Sequence, residues 1–318
     1  MKTSPKFCRV NSGFYVALFV KVMAVMVMML ASAVAEDRTL LWPDTPPFGN
    51  GKPTDAKAWY TITRPENPSG AVVIFCSGGG YGGLVNLKDA PPVFELLKPY
   101  GVTLVTLEYR IPRGNSEIGL MDAQRMIRLI RHNAKEWNCD PKRIGVMGLS
   151  AGGHLAAMTA VFADEGNPQA TDPVERMSCR PNFTILISPV ITMGAQAHGG
   201  SRQNLLGKDA TPEQIEKYSL EKQVTEKSSP CFIVHAQDDT VVPASNSQMF
   251  YEALVAKKVE AEYLKPQKGN HQVTLCRAPN WNEWKEPMVV WLKKLSIISE
   301  KPAPCLLYTS DAADDTPC

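Results

Sequence analysis

Short apolar runs alternate with longer amphipathic segments along most of this chain of 318 residues, and this alternation restricts the possible folds more than any other feature. Runs that are apolar on both faces are typical of parallel strands covered by helices on each side. The chain is therefore expected to form an α/β fold, with a mostly parallel sheet and helices on both faces. The predicted strands are 71–75, 102–107, 143–147, 183–187, 231–234 and a weaker sixth at 260–264. The predicted helices are 120–137, 151–163, 211–219, 244–258 and 281–295.

The two ends of the chain differ from this pattern. Residues 1–35 combine basic residues, an apolar stretch and a final Ala-Val-Ala, which is the order of a secretory signal peptide rather than of a membrane anchor. A secreted or periplasmic protein without stable membrane association is therefore expected. Residues 305–318 lack any helical or strand period and resemble the translation of a sequencing adapter. The folded domain is expected to span 36–304.

Composition excludes several classes of protein. The 34 basic and 32 acidic residues give a formal charge of +2, which does not favour nucleic acid or an acidic surface as a partner. The odd number of cysteines in 36–304 and the absence of a Cys-x-x-Cys motif argue against a disulfide framework or a structural zinc site, and no metal or cofactor is expected. Those cysteines are Cys76, Cys139, Cys179, Cys231 and Cys276.

The sequence Gly-Leu-Ser-Ala-Gly-Gly-His at 148–154 carries the strongest chemical signal. It follows a predicted strand and precedes a predicted helix, which is the setting of the nucleophile elbow in α/β-hydrolases. Small residues allow the tight turn, and the helix N-terminus favours developing negative charge. Ser150 is therefore the predicted nucleophile.

A serine nucleophile needs a base and an acid, which in this fold follow it in the order acid, then histidine. After the fifth strand comes His-Ala-Gln-Asp-Asp-Thr-Val-Val-Pro, beginning at His235. Asp238 and Asp239 are both candidates, and the His-Gly-x-x-Asp-x-x-Val-Pro pattern of this fold favours Asp239, which leaves Asp238 as a turn or cap residue. His271 is the only histidine after them, so it is the predicted base.

A glycine run, Ser-Gly-Gly-Gly-Tyr-Gly-Gly at 77–83, follows the first core strand. Esterases of the α/β-hydrolase fold place a comparable run beside the nucleophile, where its backbone N–H groups bind the oxyanion. By position, Gly79 or Gly80 would supply one donor and Ala151 the other. Tyr81 follows directly and is expected to overhang the acyl side of the pocket.

Several strings resemble bacterial α/β-hydrolases grouped with acetylxylan esterases and labelled esterase/lipase or xylanase-like. The resemblance extends over about 71–295, and its narrower markers are Asp-Ala-Gln-Arg at 122–125 and Ser-Arg-Gln-Asn-Leu-Leu-Gly at 201–207. It implies hydrolysis of short acyl esters, often acetyl groups on plant polysaccharide. The resemblance is weaker around the predicted base: the histidine is kept, but Asn-His-Gln-Val stands at 270–273 where the family usually has Gly-His-Gly-Phe.

Other functions compete with this one. A broad carboxylesterase or lipase would have a similar triad, and the irregular stretch 192–210, which contains His198 and Arg202, is a candidate lid. Serine peptidases of this fold usually carry a large propeller domain, for which the segment 36–70 is too short. An inactive adhesion or signalling relative would not be expected to keep nucleophile, acid, base and glycine run together. The expected substrate is therefore a small acyl ester or an acetylated polysaccharide, hydrolysed without a cofactor.

Overall fold

One mixed sheet forms the centre of the protein. The computed structural model describes residues 34–35, 37–49, 56–272 and 281–299, and within these ranges the sheet has nine strands. The strands are β1 (Val34–Ala35), β2 (Thr39–Leu40), β3 (Trp59–Arg64), β4 (Val72–Cys76), β5 (Thr103–Glu108), β6 (Ile144–Leu149), β7 (Phe183–Ile187), β8 (Cys231–Val234) and β9 (Ala261–Leu264).

The strand order is β1-β3-β5-β4-β6-β7-β8-β9, with β2 paired to β3. Six strands, β5-β4-β6-β7-β8-β9, are parallel to one another and correspond to the six predicted strands. The expected mostly parallel α/β fold is confirmed. The antiparallel edge, in which β3 pairs with β5 and with the two short strands β1 and β2, was not predicted.

Helices cover both faces of the sheet, as expected. The described residues form α1 (Ala90–Leu97), α2 (Ile118–His132), α3 (Ala151–Val161), α4 (Gly199–Leu206), α5 (Pro212–Tyr218), α6 (Ser245–Ala256) and α7 (Trp281–Lys294). Two of them, α1 and α4, were not predicted, and α4 lies within the stretch 192–210 that the sequence suggested was irregular.

Alternation along the strands divides the core into two layers. In β4, Ile74 joins the layer that contains α2, α3 and α6, whereas Phe75 joins the layer that contains α1 and α7. Successive side chains of a strand point to opposite faces, so strands that are apolar throughout supply both layers at once. Because the six central strands are parallel, all their carboxyl ends meet at one edge, where the loops after β4, β6, β8 and β9 come together.

The ends of the chain and one cysteine fall largely outside this description. The proposed leader 1–35 is described only at β1, and the proposed tail 305–318 and Cys276 lie outside the described residues. The four described cysteines are free thiols, and Cys76 and Cys231 are fully buried, as expected for apolar strand positions. Among the described helices, none combines the length and the apolar character that crossing a bilayer requires.

Candidate active site

Ser150 lies at the sharp turn between β6 and α3, where the sequence placed it. Its backbone has φ 57° and ψ −119°, a strained conformation for a residue other than glycine, costing about 1–3 kcal/mol. Three backbone hydrogen bonds hold the turn: the Ser150 N–H donates to Ile187 O, and the Ser150 carbonyl accepts from His154 and Val190. The serine side chain therefore stands at the strand edge on a fixed main chain.

Two glycines of the elbow are required by close backbone contact. A Cβ at Gly148 would lie 2.0 Å from the carbonyl oxygen of Gly152, and a Cβ at Gly152 would lie 2.2 Å from that of Cys76. The motif therefore permits helix α3 to pack directly onto the ends of β4 and β6. This contact brings Ser150 next to the loop that follows β4.

The structure brings the three predicted triad residues into one hydrogen-bonded line. His271 Nε2 lies 2.9 Å from Ser150 Oγ, and His271 Nδ1 lies 2.7 Å from Asp239 Oδ2. The serine is 7% exposed, and the histidine lies in a short 3₁₀ helix, Asn270–Gln272, after β9. The arrangement has the geometry required of a nucleophile, a base and an orienting acid.

Asp239, rather than Asp238, contacts the histidine. Asp238 Oδ1 instead accepts from the backbone N–H of Asn270 at 2.7 Å, so it supports the loop that carries His271. The two Asp239 oxygens have different partners: Oδ1 accepts from the N–H groups of Val241 and Val242, while Oδ2 faces the ring of His271. In the structure, therefore, Asp239 faces the histidine ring and Asp238 holds the backbone of its loop.

A second histidine shares this carboxylate. The fully buried His235 places Nε2 3.0 Å from Asp239 Oδ2 and 3.0 Å from Val242 O. Both are acceptors, so Nε2 carries the proton, and Nδ1 accepts from the Ser247 hydroxyl. Burial by itself raises the pKa of the Asp239 carboxyl, but the hydrogen bonds from His235 and His271 outweigh it and hold that pKa well below its usual range.

The glycine loop presents free donors to the serine. The backbone N–H groups of Gly79, Gly80 and Ala151 have no hydrogen-bond partner among the described residues. Gly79 has φ 135°, and a Cβ there would lie 2.2 Å from Gly83 O, so the turn requires glycine. Asn204 of the Ser-Arg-Gln-Asn-Leu-Leu-Gly string donates to the Gly80 carbonyl at 2.8 Å and fixes the orientation of the loop.

Tyr81 does not line the pocket, so this prediction was wrong. Its side chain is 0% exposed, and its hydroxyl lies 2.8 Å from His154 Nδ1. His154 Nε2 donates to the Tyr218 carbonyl at 3.0 Å, which leaves Nδ1 to accept from the tyrosine. The backbone of Tyr81 has φ 59°, which turns the side chain away from the pocket and under the loop. Tyr81 therefore ties the glycine loop to the elbow helix.

A pocket of about 380 Å³ opens in front of the triad. Gly79 and Gly80 form part of its wall beside Ser150 and His271, as the sequence predicted, and His198 also lines it. Its volume is near the lower end of the range for small-molecule sites. Two valines of the wall are well exposed, Val85 at 65% and Val241 at 45%, so the pocket has an apolar rim.

Sequence reasoning missed two residues of this site. The sequence gives His235 no role beyond the start of its motif, and it places His198 only within the candidate lid 192–210. The His-x-x-x-Asp pattern was a signal for His235, because residues four apart at the end of a strand can lie close enough for the histidine to contact the aspartate. His198 had no comparable signal, since its proximity to the pocket depends on how α4 packs.

The arrangement can activate a hydroxyl and stabilise an oxyanion. His271 can take the proton of Ser150, and Asp239 can stabilise the resulting cation. Gly79 and Gly80, whose N–H groups are free to stabilise an oxyanion, line the same pocket. Within the described residues no group of three or more histidine, cysteine, aspartate or glutamate side chains is arranged to hold a metal ion.

Comparison with known proteins finds relatives of this chain among esterases. A model of the BD-FAE family matches residues 60–254. An acetylxylan esterase of Xylanibacter ruminicola is 35% identical over 205 residues, and endo-1,4-beta-xylanase B of Butyrivibrio fibrisolvens is 40% identical over 169 residues. These alignments cover 63% and 52% of this chain but only 40% and 26% of the two relatives, so the chain spans less than half of either.

A solved structure is similar over almost its whole length. The acetyl ester-xyloside bifunctional hydrolase of Caldicellulosiruptor lactoaceticus superimposes with a TM-score of 0.77 at 32% sequence identity. The superposition covers 83% of this chain and 97% of that one.

Proposed function

The chain belongs to the BD-FAE family of esterases with the α/β-hydrolase fold, and from this premise we propose that it is a serine hydrolase of short-chain carboxylic esters, acting on acetyl groups of carbohydrate such as acetylated xylan. The assembled line from Ser150 through His271 to Asp239, in one pocket with the glycine loop, is the observation that supports this proposal.

The reaction proceeds in two halves. Ser150 Oγ attacks the ester carbonyl as its proton moves to His271 Nε2, and the carbonyl oxygen becomes an oxyanion held by N–H groups of Gly79 or Gly80 and of Ala151. The C–O bond to the alcohol breaks, and the alcohol oxygen takes the proton from His271. Water then attacks the acyl-enzyme with the same base, which releases the acid and restores the serine.

The preference for short acyl groups is supported by the size of the pocket and by the named activities of the relatives. Tyr81 gives no support, because it is buried away from the pocket. The exposed rim valines, Val85 and Val241, favour the second candidate, a broader carboxylesterase that accepts longer chains along the rim.

A chain-length series distinguishes the two candidates. We expect kcat/KM for p-nitrophenyl esters to be highest for acetate and to decrease through butyrate to octanoate. A rise toward octanoate would instead assign the broader carboxylesterase activity. If the acetate ester is the preferred substrate, acetylated xylan is the polymer to test next, with the release of acetate as the assay.

A serine-directed phosphonate tests the mechanism itself. It should label Ser150, and Ser150→Ala should abolish labelling and reduce turnover by at least about 10⁴-fold without unfolding the protein. Labelling of another residue, located by mass spectrometry, would remove Ser150 as the nucleophile.

We also propose that the protein acts outside the cytoplasm, secreted or periplasmic, since residues 1–35 have the pattern of a cleaved leader. Export would give access to a polymeric substrate. N-terminal sequencing of material from the culture medium or periplasm should find a start near Glu36, and an intact leader there would contradict the proposal.

A further inference from the structure

His198 lines the pocket beside Ser150 and His271 but takes no part in the triad. It stands directly before α4, and its Nδ1 lies 3.2 Å from the backbone nitrogen of Ser201 and 2.8 Å from the hydroxyl of the same residue. A backbone N–H can only donate, so Nδ1 is the accepting nitrogen of this ring. The neutral ring therefore carries its proton on Nε2.

The Nε2–H group of His198 is an unused donor. Within the described residues it has no hydrogen-bond partner, since both hydrogen bonds of the ring involve Nδ1. The ring borders the glycine loop, since its Cε1 lies 3.7 Å from the point where a Cβ of Gly80 would stand. Burial and the nearby His271 lower the pKa of His198, although Asp239 opposes this, so the neutral form is favoured.

The position of His198 indicates which part of a substrate it meets. The alcohol oxygen of an ester must come within reach of His271 Nε2, because that atom returns the proton to it. His198 lines the same pocket as His271. A sugar esterified at one carbon carries a hydroxyl on the next, so an oxygen is available close to the alcohol side.

We propose that His198 is a substrate-binding residue, which donates a hydrogen bond from Nε2 to a hydroxyl oxygen of the sugar that bears the ester. This inference rests on the proposed function and deepens it, since it assigns selectivity for carbohydrate esters to one side chain. Esters of alcohols without a neighbouring hydroxyl, such as p-nitrophenyl acetate, do not use this donor.

The substitution His198→Asn separates this role from capping of α4. Asparagine is a preferred N-cap residue, so it keeps the bond to the Ser201 N–H, but it is too short to replace Nε2. We expect kcat/KM for a monoacetylated xyloside to decrease about fivefold to tenfold, as for loss of one hydrogen bond. The value for p-nitrophenyl acetate should change by less than about twofold, because that substrate makes no such bond.

Two further variants complete the test. His198→Ala removes both the cap of α4 and the Nε2 donor, so it should lower the melting temperature. His198→Asn should restore the melting temperature but not the selectivity for the sugar ester. Val85→Ala changes an apolar part of the same pocket and should affect both substrates alike.

Equal losses on both esters with His198→Asn, or no loss on the sugar ester, would overturn the inference and leave the esterase function standing. Absence of Ser150-dependent hydrolysis of either ester by the wild-type protein would instead overturn the proposed function.

Discussion

The two sides of the triad are held in place by different kinds of contact. On the nucleophile side, main chain fixes Ser150: glycines allow α3 to touch the strand ends, and backbone hydrogen bonds define the turn. On the acid–base side, side-chain hydrogen bonds join the loops after β8 and β9, because the Asp239 carboxylate is shared by His235 and His271.

This difference determines whether a substitution on each side affects folding, activity or both. The nucleophile side has no space for additional atoms, so steric substitutions there should damage folding and activity together. The acid–base side depends on which atoms donate and which accept. Substitutions of equal shape there should leave folding intact and remove activity.

The largest effect is expected for Asp239→Asn on the acid–base side. One carboxylate oxygen becomes an NH₂ group, which must face either the two backbone N–H donors or the two histidines. In the second case His271 accepts at Nδ1 and carries its proton on Nε2, so it cannot take the proton of Ser150. We expect kcat to fall about 10⁴-fold with the fold retained.

Asp238→Asn is the matched control for this prediction. Asp238 accepts one bond from Asn270 through Oδ1, which an asparagine can also accept. Activity should fall by less than about threefold, as expected for a retained hydrogen bond. The reverse ranking of the two variants in a p-nitrophenyl acetate assay would contradict the assignment of Asp239.

The second largest effect is expected for Gly152→Ala on the nucleophile side. The added Cβ would lie 2.2 Å from Cys76 O and 2.5 Å from Ser77 O, so α3 must move away from β4. We expect a loss of about 3 kcal/mol or more in the free energy of unfolding, as for severe overpacking.

The control is Gly199→Ala, since a Cβ there meets no atom within 4 Å. Thermal unfolding should show a clear decrease in melting temperature for Gly152→Ala and almost none for Gly199→Ala. A Gly152→Ala protein with normal stability but no activity would show that the nucleophile side is less dependent on steric fit than proposed.

The same difference explains what could be predicted from sequence. The parallel strands and the elbow follow from local patterns, because apolar runs and close-packed glycines have direct structural consequences. Chain order in this fold was enough to select His271, and the His-Gly-x-x-Asp-x-x-Val-Pro pattern favoured Asp239 over Asp238. By contrast, the antiparallel strand β3 alternates partly buried and buried positions, and its partner depends on the tertiary fold.

The wrong predictions concern one side-chain direction and two helices, where the sequence does not reveal the backbone conformation. Tyr81 has a positive φ, which is uncommon for a residue other than glycine and reverses the expected direction of its ring. Helix α1 begins Ala-Pro-Pro, and prolines in the first turn hide a helical pattern although they are tolerated there. Helix α4 begins with two glycines and was interpreted as irregular.

The third prediction concerns acid stability on the nucleophile side. Burial lowers the pKa of His154 from 6.5 to about 4, although its bond to the Tyr218 carbonyl opposes this. Between these values the unfolded chain binds more protons than the folded protein, so stability decreases as pH falls through this window. We expect a loss of about 2 kcal/mol between pH 7 and pH 5.

Chemical denaturation at the two pH values measures this loss. In His154→Gln the side chain does not titrate but can still donate to Tyr218 O, so its stability should depend less on pH over the same window. An equally steep pH dependence in the variant would assign the effect to other groups.

The smallest effect is expected at His235, and it tests whether the acid–base side depends on its second histidine. His235→Leu removes the donor to Asp239 Oδ2 and leaves that oxygen with one partner, so the carboxylate is held less firmly against His271. We expect kcat to fall about tenfold, which corresponds to the loss of one hydrogen bond to a charged group. His235→Gln can reach the carboxylate with an amide N–H and should recover most of the rate. Both variants lose the bond that the Ser247 hydroxyl donates to Nδ1, so this bond cannot account for a difference between them. If leucine and glutamine variants had the same kcat, His235 would be a packing residue, and the acid–base side would depend on the pair Asp239 and His271 alone.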